Sequence, residues 1–344
     1  MIDHKWSSSL AMSSLSSCEG DFSVVGLRVR TAVDVAAVYD EAGDSYTTYA
    51  DGDSSNLFAF DGIHSYADRH LWALLDSKLE DLRASGARTI SFLDAGCGPG
   101  TWLRRLVARA RELGFTAINA RGFDVAQVQV QRARSLAETL SGLPGVNLTF
   151  DVADLTDTFP ECDASIDITL CLYSVLSHLP AASLTAVSKE IARVTTGHFI
   201  STVRPTGSPP TAFVDSIEKV YYLKQDHARN QCEIVLGDGR RIAFSFHLFT
   251  AVELRGHFMP HFDIEDLRGL DLFHTRFTSD QRWNPSCTAS DTQFPDDLVR
   301  LEETHARSPH FVDRAVHLLL VARSRRISSD AATVALPPFF ADAR

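Results

Sequence analysis

Between Ser65 and Arg204 the chain moves back and forth between short apolar runs and stretches whose apolar residues recur every three or four positions. SYADRHLWALLDSKLEDL puts Leu71, Leu74, Leu75, Leu79 and Leu82 on one face of a predicted helix. TISFLDA reads as a strand, and TWLRRLVARARELG as a helix with Leu103, Leu106, Val107, Ala110 and Leu113 in register, stopped by Gly114. INARGFD is a second strand, and Ala133, Leu136, Ala137 and Leu140 mark the helix after it. VNLTFDVAD and IDITLCLYSVLSHL supply a third and a fourth strand, the latter running into a helix or turn. SLTAVSKEIARV aligns Leu184, Val187, Ile191 and Val194 as a helix, and HFISTVR is a fifth strand. Strands separated by amphipathic helices predict an α/β fold with a doubly wound, mainly parallel sheet.

The rhythm changes after Pro205. Cys232, Ile234 and Leu236 alternate with period two and face Ile242, Phe244, Phe246 and Leu248 across GDGR, a predicted hairpin. FTAVELRGHF predicts a helix, and DIEDLRGLDLFHTRF and HLLLVARS predict strands that rejoin the sheet. The expected divisions are a loosely attached segment over 1–32, a helical cap over 33–85 and the first half of the core over 86–204. An insertion over 205–262, closing strands over 263–326 and a flexible tail over 327–344 follow.

Composition narrows the setting. At 344 residues, 44% apolar and 22% charged, the chain can bury a sizeable core. Its net charge of −11 disfavours a broad phosphate-binding face, so no nucleic-acid partner is expected. Cys18, Cys97, Cys162, Cys171, Cys232 and Cys287 are scattered without a C-x-x-C pair, which suits reduced thiols. No apolar run approaches the roughly 18 residues of a membrane span, and the Ser-rich start lacks the apolar centre of a secretory signal. The expectation is a cytoplasmic protein off the membrane, with a homodimer as the default assembly.

The stretch that carries chemistry is ISFLDAGCGPGTW. Gly96, Gly98 and Gly100 fall between the first strand and its helix, where ligands of open parallel sheets bind. Glycines let a ligand approach the backbone, and the helix start offers free N–H groups to an anion. The spacing is G-x-G-x-G, with Thr101 in the place of the third glycine of the dinucleotide fingerprint. Asp94 ahead of the loop would repel a diphosphate and tolerate a ligand bearing an ammonium and a sulfonium.

FLDAGCGPG resembles motif I of class I S-adenosylmethionine-dependent methyltransferases, of the small-molecule type, and GFDVA resembles their second motif. DVADL and DITLCLYSVLSHL resemble the segments after strand three and at strand four. The resemblance implies a Rossmann-like methyltransferase fold with a seven-stranded sheet, an N-terminal helical cap and an inserted β-hairpin/helix lid over the acceptor. It implies S-adenosyl-L-methionine as cofactor, its amino-acid end cradled by Asp94, Gly96, Gly98 and Gly100. Asp124 would hold the ribose hydroxyls, Asp154 with Leu155 would meet the adenine, and Cys171, Leu172 and Tyr173 would lie beside the methyl group. Tyr46 and Tyr49 are the preferred cofactor-facing rings among Tyr39, Tyr46, Tyr49, Phe58 and Phe60. Plainer readings stand beside these: Asp124 as a helix N-cap, Asp154 as a loop acid with Asp151 and Asp157 as rivals, Cys171 as a small apolar wall.

The acceptor is expected to be a small molecule offering a nitrogen, oxygen or carbon nucleophile. Amino-methyltransferases of DNA bases and protein glutamine carry an Asn/Asp-Pro-Pro-aromatic run where this chain has CLYS. His178, shortly after strand four, is the candidate catalytic base. His247, His257 and His261 fall in the insertion, and their spacing is a weak metal pattern, so no metal site is expected. A cofactor-binding partner or sensor without chemistry, and a methyltransferase of protein side chains or tRNA, are the competing readings.

Overall fold

The computed structural model describes residues 35–40, 56–60, 64–208, 220–226, 228–236, 241–274 and 293–325. Tyr46, Tyr49, the segment 1–32 and the tail 327–344 lie outside the described residues. The elements are α1 (Ser65–Ala84), β1 (Thr89–Ala95), α2 (Thr101–Glu112), β2 (Ala117–Asp124), α3 (Gln127–Ser141), β3 (Val146–Val152), β4 (Ile166–Cys171), α4 (Leu184–Val194) and β5 (Thr195–Val203). After them come β6 (Val220–Asp226), β7 (Gln231–Leu236), β8 (Arg241–Ser245), α5 (Ala251–Phe258), β9 (Phe262–Leu270), α6 (Gln293–His305) and β10 (His317–Ser324).

Seven strands form one sheet in the order β3-β2-β1-β4-β5-β10-β9. β1 to β5 pair in parallel, whereas β10 runs antiparallel to both β5 and β9. All of β10 from His317 to Ala322 is buried, as a strand covered on both faces should be. The sheet separates two apolar layers. On one face Leu71, Leu75 and Leu79 of α1, Leu103 and Leu106 of α2, and Val130 of α3 pack with Ile90 and Phe92. On the other, Val187 and Ile191 of α4 and Leu254 and Phe258 of α5 pack with Leu93, Phe199 and Phe262.

Three features depart from the sequence reading. The hairpin gains a preceding strand, β6, and becomes a three-stranded antiparallel sheet in which Cys232 faces Phe244. Phe246 and Leu248 lie beyond the end of β8. The helix expected in the covering insertion, α5, packs instead on the main sheet, because Leu254 and Phe258 bury themselves against Phe199 and Phe262. What covers the strand ends is β7 and β8 together with the helical turn 35–40, joined through Val35, Val38, Cys232 and Phe244. Cys97, Cys162, Cys171 and Cys232 are free thiols. Among the described residues no helix is long and apolar enough to cross a membrane.

The third departure is α6, which the sequence reading did not contain. Its Glu302 is fully buried and accepts hydrogen bonds from the backbone N–H groups of Leu272 (2.9 Å), Phe273 (2.7 Å) and His274 (2.9 Å). Burial pushes this carboxyl up, but these bonds and the His274 ring outweigh it and hold it below the ordinary value. Glu302 thus pins the turn that follows β9. Glu302→Leu is expected to destabilise the fold by at least about 2 kcal/mol in a denaturant titration, since it strands buried donors.

Candidate active site

β1 ends at Asp94 and Ala95, and the chain turns through Gly96 (φ +81°), Gly98 (φ +50°) and Gly100 (φ +76°) into α2. A Cβ on Gly96 would stand 2.4 Å from the Val175 side chain, and one on Gly100 2.7 Å from the Phe150 ring. Left-handed backbone and tight packing therefore both require glycine at these two positions. The amides of Gly96 and Cys97 donate to the Phe123 carbonyl, at 2.8 and 2.9 Å, tying the loop to the end of β2. Among the described residues no side chain caps α2, so its first-turn N–H groups are available to an anion.

Asp94 is 2% exposed, and among the described residues its carboxyl group has no hydrogen-bond partner. Burial, then the charge of Asp124, pushes it up to about 7. A carboxylate placed so is short of a cation. Asp124, at the end of β2, accepts from the Gly98 amide and from the Ala126 amide, both at 2.9 Å. Burial raises its pKa while these two bonds pull against the rise. A carboxylate has about four acceptor positions, and with the Val125 amide also bearing on it at least one remains for a hydroxyl. The start of α3 is held from elsewhere: Asp40 accepts from the Val128 amide at 2.9 Å.

Asp154 accepts from the amide and hydroxyl of Thr156, both at 2.9 Å and both at Oδ1, which leaves Oδ2. Its rival Asp151 is engaged with Arg121 at 3.0 Å, and Asp157 is exposed. The Leu155 side chain packs beside Phe123 and Phe159 in the core. At the end of β4, Cys171 and Leu172 are buried on opposite faces of the sheet. Burial, followed by the Asp94 charge, pushes the Cys171 thiol far up, so it is a neutral wall. Tyr173 and Ser174 then take left-handed backbone, at φ +52° and +71°. The Tyr173 hydroxyl donates to Asp68, and its ring stacks against Trp102 and His64, with 6.2 Å between centroids in each case.

Residues 92–198, from β1 into β5, match the family model of a methyltransferase domain. The chain carries a methyltransferase domain. No curated protein matches the sequence. Among solved structures, magnesium protoporphyrin IX methyltransferase from Synechocystis PCC 6803 with bound SAM is 15% identical, with a TM-score of 0.48, covering 87% of this chain and 99% of its own. The [4+2]-cyclase SpnF is 17% identical, with a TM-score of 0.48 over 86% of this chain and 97% of its own. Geranyl diphosphate C-methyltransferase from Streptomyces coelicolor A3(2) is 13% identical, with a TM-score of 0.45 over 87% and 99%.

The residues of this domain have chemistry that matches the groups of S-adenosylmethionine, the cofactor that the motif resemblance implies. The bare helix start fits its carboxylate, Asp94 its positive charges, and Asp124 a ribose hydroxyl. The cover reaches across both sides of that place. Asp40 engages α3, while the Tyr39 hydroxyl meets His178 Nε2 at 2.9 Å. His178 is buried, with its Nδ1 3.3 Å from the Ser245 carbonyl and its ring against Phe244 and Phe246. Burial drives its pKa down to about 4, against the pull of the Ser245 carbonyl, so the ring is neutral near pH 7. Both ring nitrogens are committed to the protein.

The remaining histidines and rings divide differently from expectation. His247 lies between Asn230 (3.0 Å) and Glu253 (2.7 Å), while His257 and His261 are partly exposed. Phe60 is in the core between Trp72 and Trp102, and the Arg105 guanidinium sits 4.6 Å from the centroids of both Phe60 and Trp102. Arg69 donates to the Phe60 carbonyl at 3.4 Å. Sequence reasoning missed Asp68, His64, Asp271, Arg204 and His317, which gather near Tyr173 from four separate segments with no shared spacing.

Asp124→Ala is expected to weaken cofactor binding by at least about 1 kcal/mol in calorimetry, because hydrogen bonds to a charged acceptor are lost. Asp94 makes binding pH-dependent. A cation needs its ionised form, which is half populated near pH 7, approaches completion about a unit above it and is depleted below it. Affinity should hold above that pH and fall by up to about tenfold per unit beneath it. In Asp94→Asn that slope should vanish.

Proposed function

We propose that this methyltransferase acts on a small-molecule acceptor, held beside Tyr173 over the carboxyl ends of β4 and β5, in the cytoplasm. The observation that carries the reading is the cover. The turn 35–40 is hydrogen-bonded to α3 through Asp40 and to the β4 side through Tyr39, with β8 packed against it. An enclosed site of this kind suits a metabolite better than a polymer strand, and the net charge of −11 disfavours a nucleic acid.

In this reading Asp94, Gly96, Gly98 and Gly100 hold the amino-acid end of the cofactor, Asp124 the ribose, and Asp154 with Leu155 the adenine. Bound there, S-adenosylmethionine supplies an electrophilic methyl group for in-line displacement. The protein's own part is alignment and exclusion of water. Cys171 and Leu172 wall the reacting region, and Tyr173, fixed by Asp68 and by its amide bond to Thr202 Oγ1 (2.6 Å), orients the acceptor. His178 is a positioning residue: a neutral strut that joins Tyr39 of the cover to Ser245 of β8.

The test is incubation of the full chain with methyl-labelled S-adenosylmethionine and, in parallel, a metabolite extract, a tRNA fraction and a protein fraction. Label is expected in a low-molecular-mass product found by mass spectrometry. Label confined to tRNA or protein would overturn the acceptor class. No transfer anywhere, with cofactor binding intact, would overturn catalysis in favour of a binding or sensing role.

A further inference from the structure

Away from the cofactor acids, His64, Asp271 and His317 come together from three elements. His64 immediately precedes α1, Asp271 immediately follows β9, and His317 opens β10. Antiparallel pairing of His317 with Leu270 sets Asp271 beside His317. Because β9 ends where β10 begins, this corner lies at the same edge of the sheet as the carboxyl ends of β4 and β5. One ligand atom from each of the three residues falls within 4.8 Å of the other two.

We propose that His64, Asp271 and His317 bind a divalent first-row transition cation of the Zn²⁺ kind on the acceptor side of the site. All three are buried, with exposures of 8%, 1% and 4%. Both carboxylate oxygens of Asp271 and the Nδ1 of His317 lack hydrogen-bond partners among the described residues. A carboxylate that deeply buried is costly unless a cation stands close to it. His64 Nδ1 is 3.6 Å from Asp271 Oδ2, too long for a hydrogen bond. Two ligands about 2.1 Å from a common tetrahedral ion stand about 3.4 Å apart, close to that separation. Two imidazoles and a carboxylate form a donor set that suits Zn²⁺ rather than Mg²⁺.

Glu302 fixes the turn Leu272–His274 directly after Asp271, and so sets the carboxylate's position. The Tyr173 ring lies 6.2 Å from that of His64 and 5.4 Å from that of His317. Three protein ligands leave a tetrahedral ion one open position, available to an acceptor oxygen.

Metal binding is read without methyl transfer, so it stands or falls apart from the proposed activity. Untagged full-length protein is stripped with a chelator and titrated with Zn²⁺ against a chromogenic competitor, with Mg²⁺ in a parallel titration. Stoichiometric Zn²⁺ uptake is expected, with no Mg²⁺ uptake. Loss of a ligand in Asp271→Asn or His317→Gln should weaken uptake by at least about 100-fold, more than loss of a mere supporting hydrogen bond. His257→Ala, at a partly exposed position, should leave it unchanged. No Zn²⁺ uptake by the native chain, or uptake retained in both ligand variants, would overturn the site and leave a buried His–Asp ion pair. Should Asp271→Asn fail to fold, His317→Gln carries the comparison.

Discussion

The constraint on which the site depends is the burial of two carboxyl groups, Asp94 and Asp124, at the ends of adjacent strands. Asp124 adds to the cost of Asp94 and Asp40 to that of Asp124, and Asp94 has no hydrogen-bond partner among the described residues to relieve it. The glycine turn makes the arrangement tolerable from one side, because its Gly98 amide donates to Asp124. The ligand must relieve it from the other. A site built in this way is poor for a diphosphate and good for a zwitterion with an extra positive centre. The sheet's main contribution is to hold the two acids where water is too scarce to screen them.

Closure follows a second principle. The turn 35–40 brings little apolar area, yet it reaches two distant elements with polar groups. Asp40 occupies the positive end of α3, and Tyr39 meets a histidine that is itself fixed to β8. His178, a base by sequence logic, is thereby drawn into architecture. A histidine after β4 signals proximity to the reacting centre, but burial among Tyr39, Phe244 and Phe246 decides which form it takes.

The main sheet was largely legible in the sequence because its signals are local. TISFLDA, HFISTVR and HLLLVARS become β1, the greater part of β5 and β10, and the helices between β1 and β5 start and stop within a residue or two of their patterns. The glycine turn was equally plain, since its residue types follow from backbone geometry. What the sequence hid depends on distant contacts. The helix FTAVELRGHF was readable, but not that Leu254 and Phe258 would choose the sheet over the acceptor. Glu302 looks like any helix-surface acid until the turn after β9 is folded onto it. His64, Asp271 and His317 have no common spacing, for pairing across β9 and β10 sets two of them side by side.

The cover also imposes an order on how the protein comes into being. Asp40 meets its partner 88 residues further along the chain, and Tyr39 meets His178 at a separation of 139. Such contacts carry a substantial loop-closure entropy, and non-local contacts of this kind form late. During synthesis, the segment that shuts the site leaves the ribosome before the elements it meets and waits for Ser245 before its seat is complete. The cradle is thus finished while still open, and a segment made before its partners is among the last to settle.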